Sequence, residues 1–234
     1  MTVVFGLFIT GFVSVLAVTL TLVDFSGNSI GRIARVWGWF FLKLSGIRVE
    51  IDGLEKLERG KSYVFISNHA SLLDIPAVVY SLPFQLRFLA KKELYKIPVF
   101  GLALRMAGHI RIDRGNLESA VDSLKKASVR LKKRKASVLV FAEGTRSLDG
   151  EIGRFKKGGI ILAISMGIPI VPISISGSRE LAPKGAMMVK RGTIRLKVGN
   201  PIATEERDIS ERNELLQETR NEVIKNMVYE SAAE

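Results

Sequence analysis

The 234-residue chain contains no cysteine. That excludes disulfides, thiolate nucleophiles and Cys-ligated zinc or iron–sulfur sites. Histidine occurs only twice, so a multi-histidine metal centre is excluded and only a carboxylate-rich one stays open. Acid is scarce as well: 23 Asp and Glu face 35 Lys and Arg, for a net charge of +12 and a pI near 10.0. Low hydrophobicity, the mark of a disordered chain, is missing too, since 47% of residues are apolar and the mean hydropathy is +0.21. Length suits one large domain or one and a half small ones. No tandem repeat or low-complexity linker breaks the chain. The available chemistry is therefore that of histidine, carboxylates, hydroxyls and basic side chains.

The apolar excess sits at the front. Thr2 to Val23 carries no charge, and a helix over that run would be roughly 30 Å long, about a bilayer's hydrocarbon thickness. No Lys or Arg precedes it, and Asp24-Phe25-Ser26-Gly27 is a poor cleavage site, so it does not read as a secretory signal. Ile30 to Leu44 is a second apolar stretch. It sets Trp37 and Trp39 beside Arg32, Arg35 and Lys43, the composition of an interfacial segment. Three arrangements fit: two core helices of a soluble domain, a first helix that crosses the membrane, or a hairpin turning at Gly27-Asn28 within one leaflet. The expectation is an N-terminal apolar two-helix membrane segment, residues 1–46, ahead of an α/β domain, residues 47–234. The basic domain then lies on the cytoplasmic side of the cell membrane. From Thr204 to Glu234 the charge reverses, nine acidic residues against four basic, which leaves +17 on the remainder. Leu215, Leu216, Thr219, Val223 and Met227 there form a partial stripe and predict a solvated surface helix.

Between the ends, short β-rich runs alternate with helical patterns. Tyr63–Ser67, Arg87–Ala90, Ser137–Phe141, Ile168–Ile175 and Thr193–Val198 read as strands, the continuous apolar ones as strands covered on both faces. Leu117, Val121, Leu124 and Leu131 recur at helical spacing after Asn116, a good N-cap. Lys157 to Met166 predicts another helix, stopped by Gly167 and Pro169. The alternation predicts a largely parallel or mixed sheet covered by helices, with chemistry beyond the carboxyl ends of the strands. Two polar clusters fall there: Asn68-His69 after the first of these runs and Glu143-Gly144-Thr145-Arg146 after Phe141.

His69 and Asp74 are a candidate base and its orienting carboxylate, since a carboxylate fixes the ring tautomer and favours the imidazolium that forms. On an ideal helix the two positions lie about 140° apart. They meet only if His69 precedes the helix and Asp74 reaches back, and the same spacing also serves a capping turn with Asp74 in solvent. Around Gly144 and Thr145 a strand-to-loop turn exposes backbone donors, and Arg146 is a fork suited to phosphate. Glu143 either holds Arg146 or accepts from a substrate hydroxyl, and a local ion pair in a simple turn is the plainer reading. Phe155-Lys156-Lys157 precedes the next helix and offers further anion donors. Gly108 to Gly115 reads as a strand with a basic exit, in which Arg111 and Arg114 either grip a phosphate or are simply solvated. His109 has no carboxylate at a useful spacing and reads as structural. Lys125-Lys126 and Arg130 to Lys135 form a basic helix end, either simply solvated or, beside a membrane-inserted front end, drawn to anionic lipid or an acidic carrier protein.

Asn68-His69-x4-Asp74, Gly108 to Arg114, Phe141-x-Glu143-Gly144-Thr145-Arg146-Ser147 and Val171-Pro172-Ile173 follow one another in a set order and spacing. In this the chain resembles the glycerophospholipid acyltransferases, from about Val49 to Pro201, and most of all the members that acylate lysophosphatidic acid. The resemblance implies that His69 is the general base and Asp74 its orienting partner. It implies that Arg114, Glu143, Gly144, Thr145 and Arg146 bind the acceptor's glycerol phosphate, to which Lys156 adds a further anion donor, and that Pro172 walls the acyl chain or the catalytic pair. It implies an acyl thioester donor, either acyl carrier protein or acyl-CoA, a lysophosphatidic acid acceptor, contact with membrane lipids, and no cofactor. One departure concerns Arg111, which stands where the second motif usually has an aromatic residue. Two other readings remain open: an acyltransferase on glycerol-3-phosphate or another lysolipid, and a membrane-tethered basic domain for nucleic acid or anionic lipid. No nucleic-acid module supports the last.

Overall fold

The computed structural model describes residues 3–21, 28–113, 115, 117–134 and 136–228. Two helices, α1 (Val3–Thr21) and α2 (Asn28–Leu44), come first. An alternating series follows: β1 (Ile47–Asp52), β2 (Val64–Ser67), α3 (Asp74–Ser81), β3 (Leu86–Lys91), α4 (Phe100–Met106) and β4 (Ile110–Ile112). It continues with α5 (Leu117–Arg134), β5 (Ser137–Phe141), α6 (Gly158–Met166), β6 (Ile170–Ser176), α7 (Ser178–Leu181), β7 (Gly192–Val198) and α8 (Arg212–Lys225).

The seven strands form one mixed sheet in the order β1-β7-β6-β2-β5-β3-β4. Every neighbouring pair is parallel except β6 with β7. Alternation divides the central strands between two apolar layers. Phe65, Leu139, Val171, Ile173 and Ile175 enter the layer that holds Leu73, Ala77, Val78 and Leu82 of the α3 region and Leu42 of α2. Val64, Ile66, Val138, Val140 and Ile170 enter the other, with Leu124 and Leu131 of α5, Ile160 and Leu162 of α6, and Leu215 and Val223 of α8. Each central strand is thus covered on both faces, which its unbroken apolar run requires. Pro76 falls in the first turn of α3, where its missing N–H costs nothing.

Among the described residues no helix is long and apolar enough to cross a membrane. Helix α2 carries Arg32, Arg35 and Lys43 and packs along α3. A side chain at Gly38 would stand 2.9 Å from the Pro76 carbonyl oxygen, so only glycine permits that approach. Gly27 of the expected hairpin turn and the N-cap candidate Asn116 lie outside the described residues. The acidic C-terminal helix is not merely solvated, because Leu215, Thr219 and Val223 are buried. The Ser174 hydroxyl donates to the Val223 carbonyl at 2.6 Å, fastening α8 to β6.

Candidate active site

Strands β2 and β5 run parallel with Ser67 opposite Phe141, so the loops that follow leave the sheet side by side. The Ala142 amide donates to the Ser67 carbonyl at 3.0 Å. Asn68 is buried and reaches the other way to β6: its Nδ2 donates to the Ile175 carbonyl and its Oδ1 accepts from the Ile175 amide, both at 2.9 Å. The chain is therefore fixed on both sides just before His69.

His69 is held through both its backbone and its ring. Its amide donates to Glu143 Oε1 at 2.8 Å, and its carbonyl accepts from the Ser147 amide at 2.8 Å. Its ring stacks on Phe141, centroids 4.1 Å apart and planes 17° apart. Nδ1 lies 2.7 Å from Asp74 Oδ2. The side chain of His69 is 13% exposed and that of Asp74 is 0% exposed.

The turn explains how the pair meets. Oδ2 of Asp74, the first residue of α3, also accepts from the amides of Ala70 at 2.8 Å and Ser71 at 2.9 Å. The chain from His69 to Leu73 thereby wraps around the carboxylate instead of continuing a helix. Ser71 closes the wrap, its hydroxyl donating to the Ala182 carbonyl at 2.6 Å and accepting from the Leu73 amide at 3.2 Å. A carboxylate only accepts, so Nδ1 carries the ring proton and Nε2 keeps its lone pair. An imidazole oriented by a buried carboxylate is equipped to take a proton from a hydroxyl.

Glu143 does not hold Arg146, in contrast to one of its expected roles. Its two oxygens accept from backbone amides, Oε1 from His69 and Oε2 from Gly153 at 3.1 Å. Burial pushes its carboxyl pKa up, and those two hydrogen bonds pull against the rise. A further clamp stands behind Gly153: Arg220 of α8 donates to the carbonyls of Ile152 at 2.9 Å and Gly153 at 3.2 Å. A continuous set of contacts thus runs from α8 through the 152–153 backbone and Glu143 to His69.

The rim of the site is basic. Gly144 sits at φ +72°, a turn conformation that favours glycine, and its amide donates to the Phe141 carbonyl at 3.1 Å. Lys156 is joined to the same turn by its own amide, 2.8 Å from the Ala142 carbonyl. Its side chain passes so close that a Cβ on Gly144 would meet it at 3.1 Å. Lys184 Nζ reaches Thr145 Oγ1 at 3.5 Å and the Arg146 carbonyl at 3.4 Å. The Lys156 and Lys184 side chains therefore gather at residues 143–147, a turn that also carries Arg146, next to the histidine. Cations on a turn beside a general base can seat an anionic substrate.

A family model described as Acyltransferase matches residues 48–176, more than half of the chain. The chain belongs to the acyltransferase family. Among relatives with curated names, a chloroplastic 1-acyl-sn-glycerol-3-phosphate acyltransferase of Brassica napus is 36% identical over 83% of this chain and 55% of its own length. The 1-acyl-sn-glycerol-3-phosphate acyltransferase of Limnanthes alba is 38% identical over 77% of this chain and 62% of its own. The chain thus spans little more than half the length of these two relatives. The crystal structure of the 1-acyl-sn-glycerophosphate acyltransferase PlsC from Thermotoga maritima shares the fold, with a TM-score of 0.71 and 24% identity, covering 98% of this chain and 100% of that one.

In this chain His69, Asp74, Glu143, Gly144, Thr145, Arg146 and Lys156 lie on the two adjoining loops. Arg114 lies outside the described residues. Arg111 points away from the core, between the buried Ile110 and Ile112 of β4. Pro172 is in mid-strand opposite Ile66, three residues before Ile175, at whose level the Asn68 loop is fastened. His109 accepts from the Phe88 amide at 3.0 Å through Nδ1. Burial, helped by the Arg87 charge, lowers its pKa to about 3, so it is a neutral packing residue at physiological pH. Sequence reasoning missed Ser71, Lys184 and Arg220. Only Lys184 left a local signal, the Pro183-Lys184-Gly185 turn.

Proposed function

We propose that the protein transfers a fatty acyl group from an acyl thioester, of acyl carrier protein or coenzyme A, to the sn-2 hydroxyl of lysophosphatidic acid, giving phosphatidic acid and the free thiol. The observation that carries this reading is the 2.7 Å contact of His69 Nδ1 with the buried Asp74, placed beside the basic turn at residues 143–147. The Nε2 lone pair takes the hydroxyl proton while the hydroxyl oxygen bonds to the thioester carbonyl carbon. Asp74 stabilises the imidazolium so formed. As the tetrahedral species collapses the carbon–sulfur bond breaks, and the imidazolium returns its proton to the departing sulfur. Arg146, Lys156 and Lys184 hold the phosphate and so orient the hydroxyl, converting an encounter into a positioned reaction. The names of the relatives support this acceptor over glycerol-3-phosphate.

The acceptor is a membrane lipid, and the site belongs on the cytoplasmic side of the cell membrane. The exposed apolar side chains of α2, namely Val36, Trp39, Phe40 and Leu44, support contact with one leaflet. Lys43 lies over the Trp39 ring, 4.9 Å from its centroid, a cation beside an interfacial aromatic. The test is a transfer assay of the protein in detergent, crossing both donors with lysophosphatidic acid, glycerol-3-phosphate and other lysolipids. Phosphatidic acid from the first acceptor is the expected product, and no product above background in any combination refutes the reading.

A further inference from the structure

Between β3 and α4 the chain makes an outward turn that no step of the reaction uses. Ile97, Pro98 and Val99 are exposed in succession, and Leu102 follows on α4. Exposure reaches 47% at Ile97, 44% at Val99 and 46% at Leu102. Such a run on a surface is a defect unless something covers it.

The turn is held in this shape by its own backbone. Val99 has φ 60° and ψ −57°, a conformation that a β-branched residue rarely adopts. The Phe100 amide donates to the Pro98 carbonyl at 2.6 Å, closing a three-residue turn of the strained hand. Gly101 donates to Ile97 at 2.7 Å and Ala103 to Val99 at 2.8 Å. A side chain at Gly101 would stand 2.5 Å from the carbonyl oxygen of the buried Tyr95, so the segment folds tightly on itself. The apolar tips are therefore presented outward by a fixed frame, which points to use. Exposed cations flank them along the chain: Lys96 precedes the turn, Arg105 follows it, with Nη2 donating to the Tyr95 carbonyl at 3.0 Å, and Lys91, which faces Glu93 at 3.7 Å, comes before Lys96. Helix α4 packs on α1, whose Phe12 and Val15 are exposed.

We propose that the Ile97–Leu102 turn is a second membrane-docking element, inserting its apolar tips among the headgroups of an anionic bilayer while Lys96 and Arg105 meet the lipid phosphates. The apolar tips, the cationic border and the contact with α1 select a lipid surface over a second copy of this chain. The proposal rests on the reading of the protein as an enzyme of membrane lipid, yet its test does not require catalysis.

Because the chain has no cysteine, Ile97→Cys in the full-length protein carries a single environment-sensitive fluorophore. The emission should shift to the blue, and quenching by aqueous iodide should fall severalfold, on vesicles of phosphatidylglycerol and phosphatidylcholine. The change should be smaller on phosphatidylcholine alone, and a label at Glu214→Cys on α8 should not respond. A label at Ile97 that stays fully quenchable while the protein sediments with the vesicles overturns the proposal. Concentration-dependent protection without vesicles overturns it in favour of self-association. Val99→Gly suits the backbone of the turn and removes one apolar tip, so it should retain the fold and lower partition to the anionic vesicles about tenfold. Its transfer rate on a short-chain acceptor dissolved as monomers should match that of the parent. Loss of that rate together with unchanged partition overturns the proposal, whereas absence of transfer in the parent itself refutes only the enzymatic reading.

Discussion

Asp74→Asn separates charge from shape at the His69–Asp74 pair. In the native site one oxygen, Oδ2, collects all three contacts, from His69 Nδ1 and the amides of Ala70 and Ser71. The other oxygen, Oδ1, is buried without a hydrogen-bond partner. Asparagine can set its carbonyl oxygen in the place of Oδ2 and its amide nitrogen in the place of Oδ1. All three contacts and the ring tautomer are then retained, and what is lost is the negative charge facing the imidazolium. Two unit charges about 4 Å apart attract by about 4 kcal/mol at an effective dielectric constant near 20, which corresponds to roughly a thousandfold in rate. The expected result is a kcat about a thousandfold lower, little change in KM for the lysolipid, and a melting temperature within a few degrees of the parent. The assay is initial-rate phosphatidic acid formation at saturating acyl thioester, paired with thermal unfolding. A folded Asp74→Asn protein that keeps more than a tenth of the parent kcat refutes the argument that this charge stabilises the imidazolium.

Three further outcomes follow from the same geometry. Glu143→Gln puts a donor opposite one of the two amides that Glu143 now accepts from, so the urea midpoint should fall by the equivalent of about 1–3 kcal/mol. An unchanged midpoint argues against the bracing role. Arg220→Ala should lower kcat several-fold at constant KM by loosening the 152–153 backbone behind Glu143, and Arg220→Lys should restore part of it; a loss expressed only in KM contradicts this. His109 titrates near 6.5 in the unfolded chain and at about 3 in the folded one. Between those values the unfolded state binds the extra proton, so the stability present above pH 6.5 is lost at up to about 1.4 kcal/mol per pH unit as the pH falls toward 3. Urea midpoints at pH 7 and pH 5 should differ less in His109→Gln than in the parent.

What the sequence discloses depends on how local the cause is. Strand β5 is Ser137 followed by the unbroken apolar run Val138–Phe141, and its limits are legible to the residue. Strand β1 escapes notice because it follows the apolar α2 directly, and its alternating Ile-Arg-Val-Glu-Ile-Asp pattern is that of a half-buried edge. Helix α3 escapes because it is short and largely buried, with no polar face to mark its period. The fastening of α8 to the sheet is hidden by the acidic residues that dominate its composition. At the site, His69 and Asp74 are readable because their meeting is settled within six residues. The bracing by Glu143 is not readable, since nothing near position 143 says which amides it will face. Arg220 is further removed still, 67 residues from the Gly153 carbonyl it grips.

One measurement bears on the central claim more directly than the rest: the rate of phosphatidic acid formation by His69→Ala relative to the parent, in detergent, with saturating thioester and lysophosphatidic acid and with folding verified by its unfolding transition. If Nε2 of His69 takes the acceptor's proton, that rate falls by about a hundred- to ten-thousand-fold. A folded His69→Ala protein working within tenfold of the parent would place the base elsewhere and contradict the account.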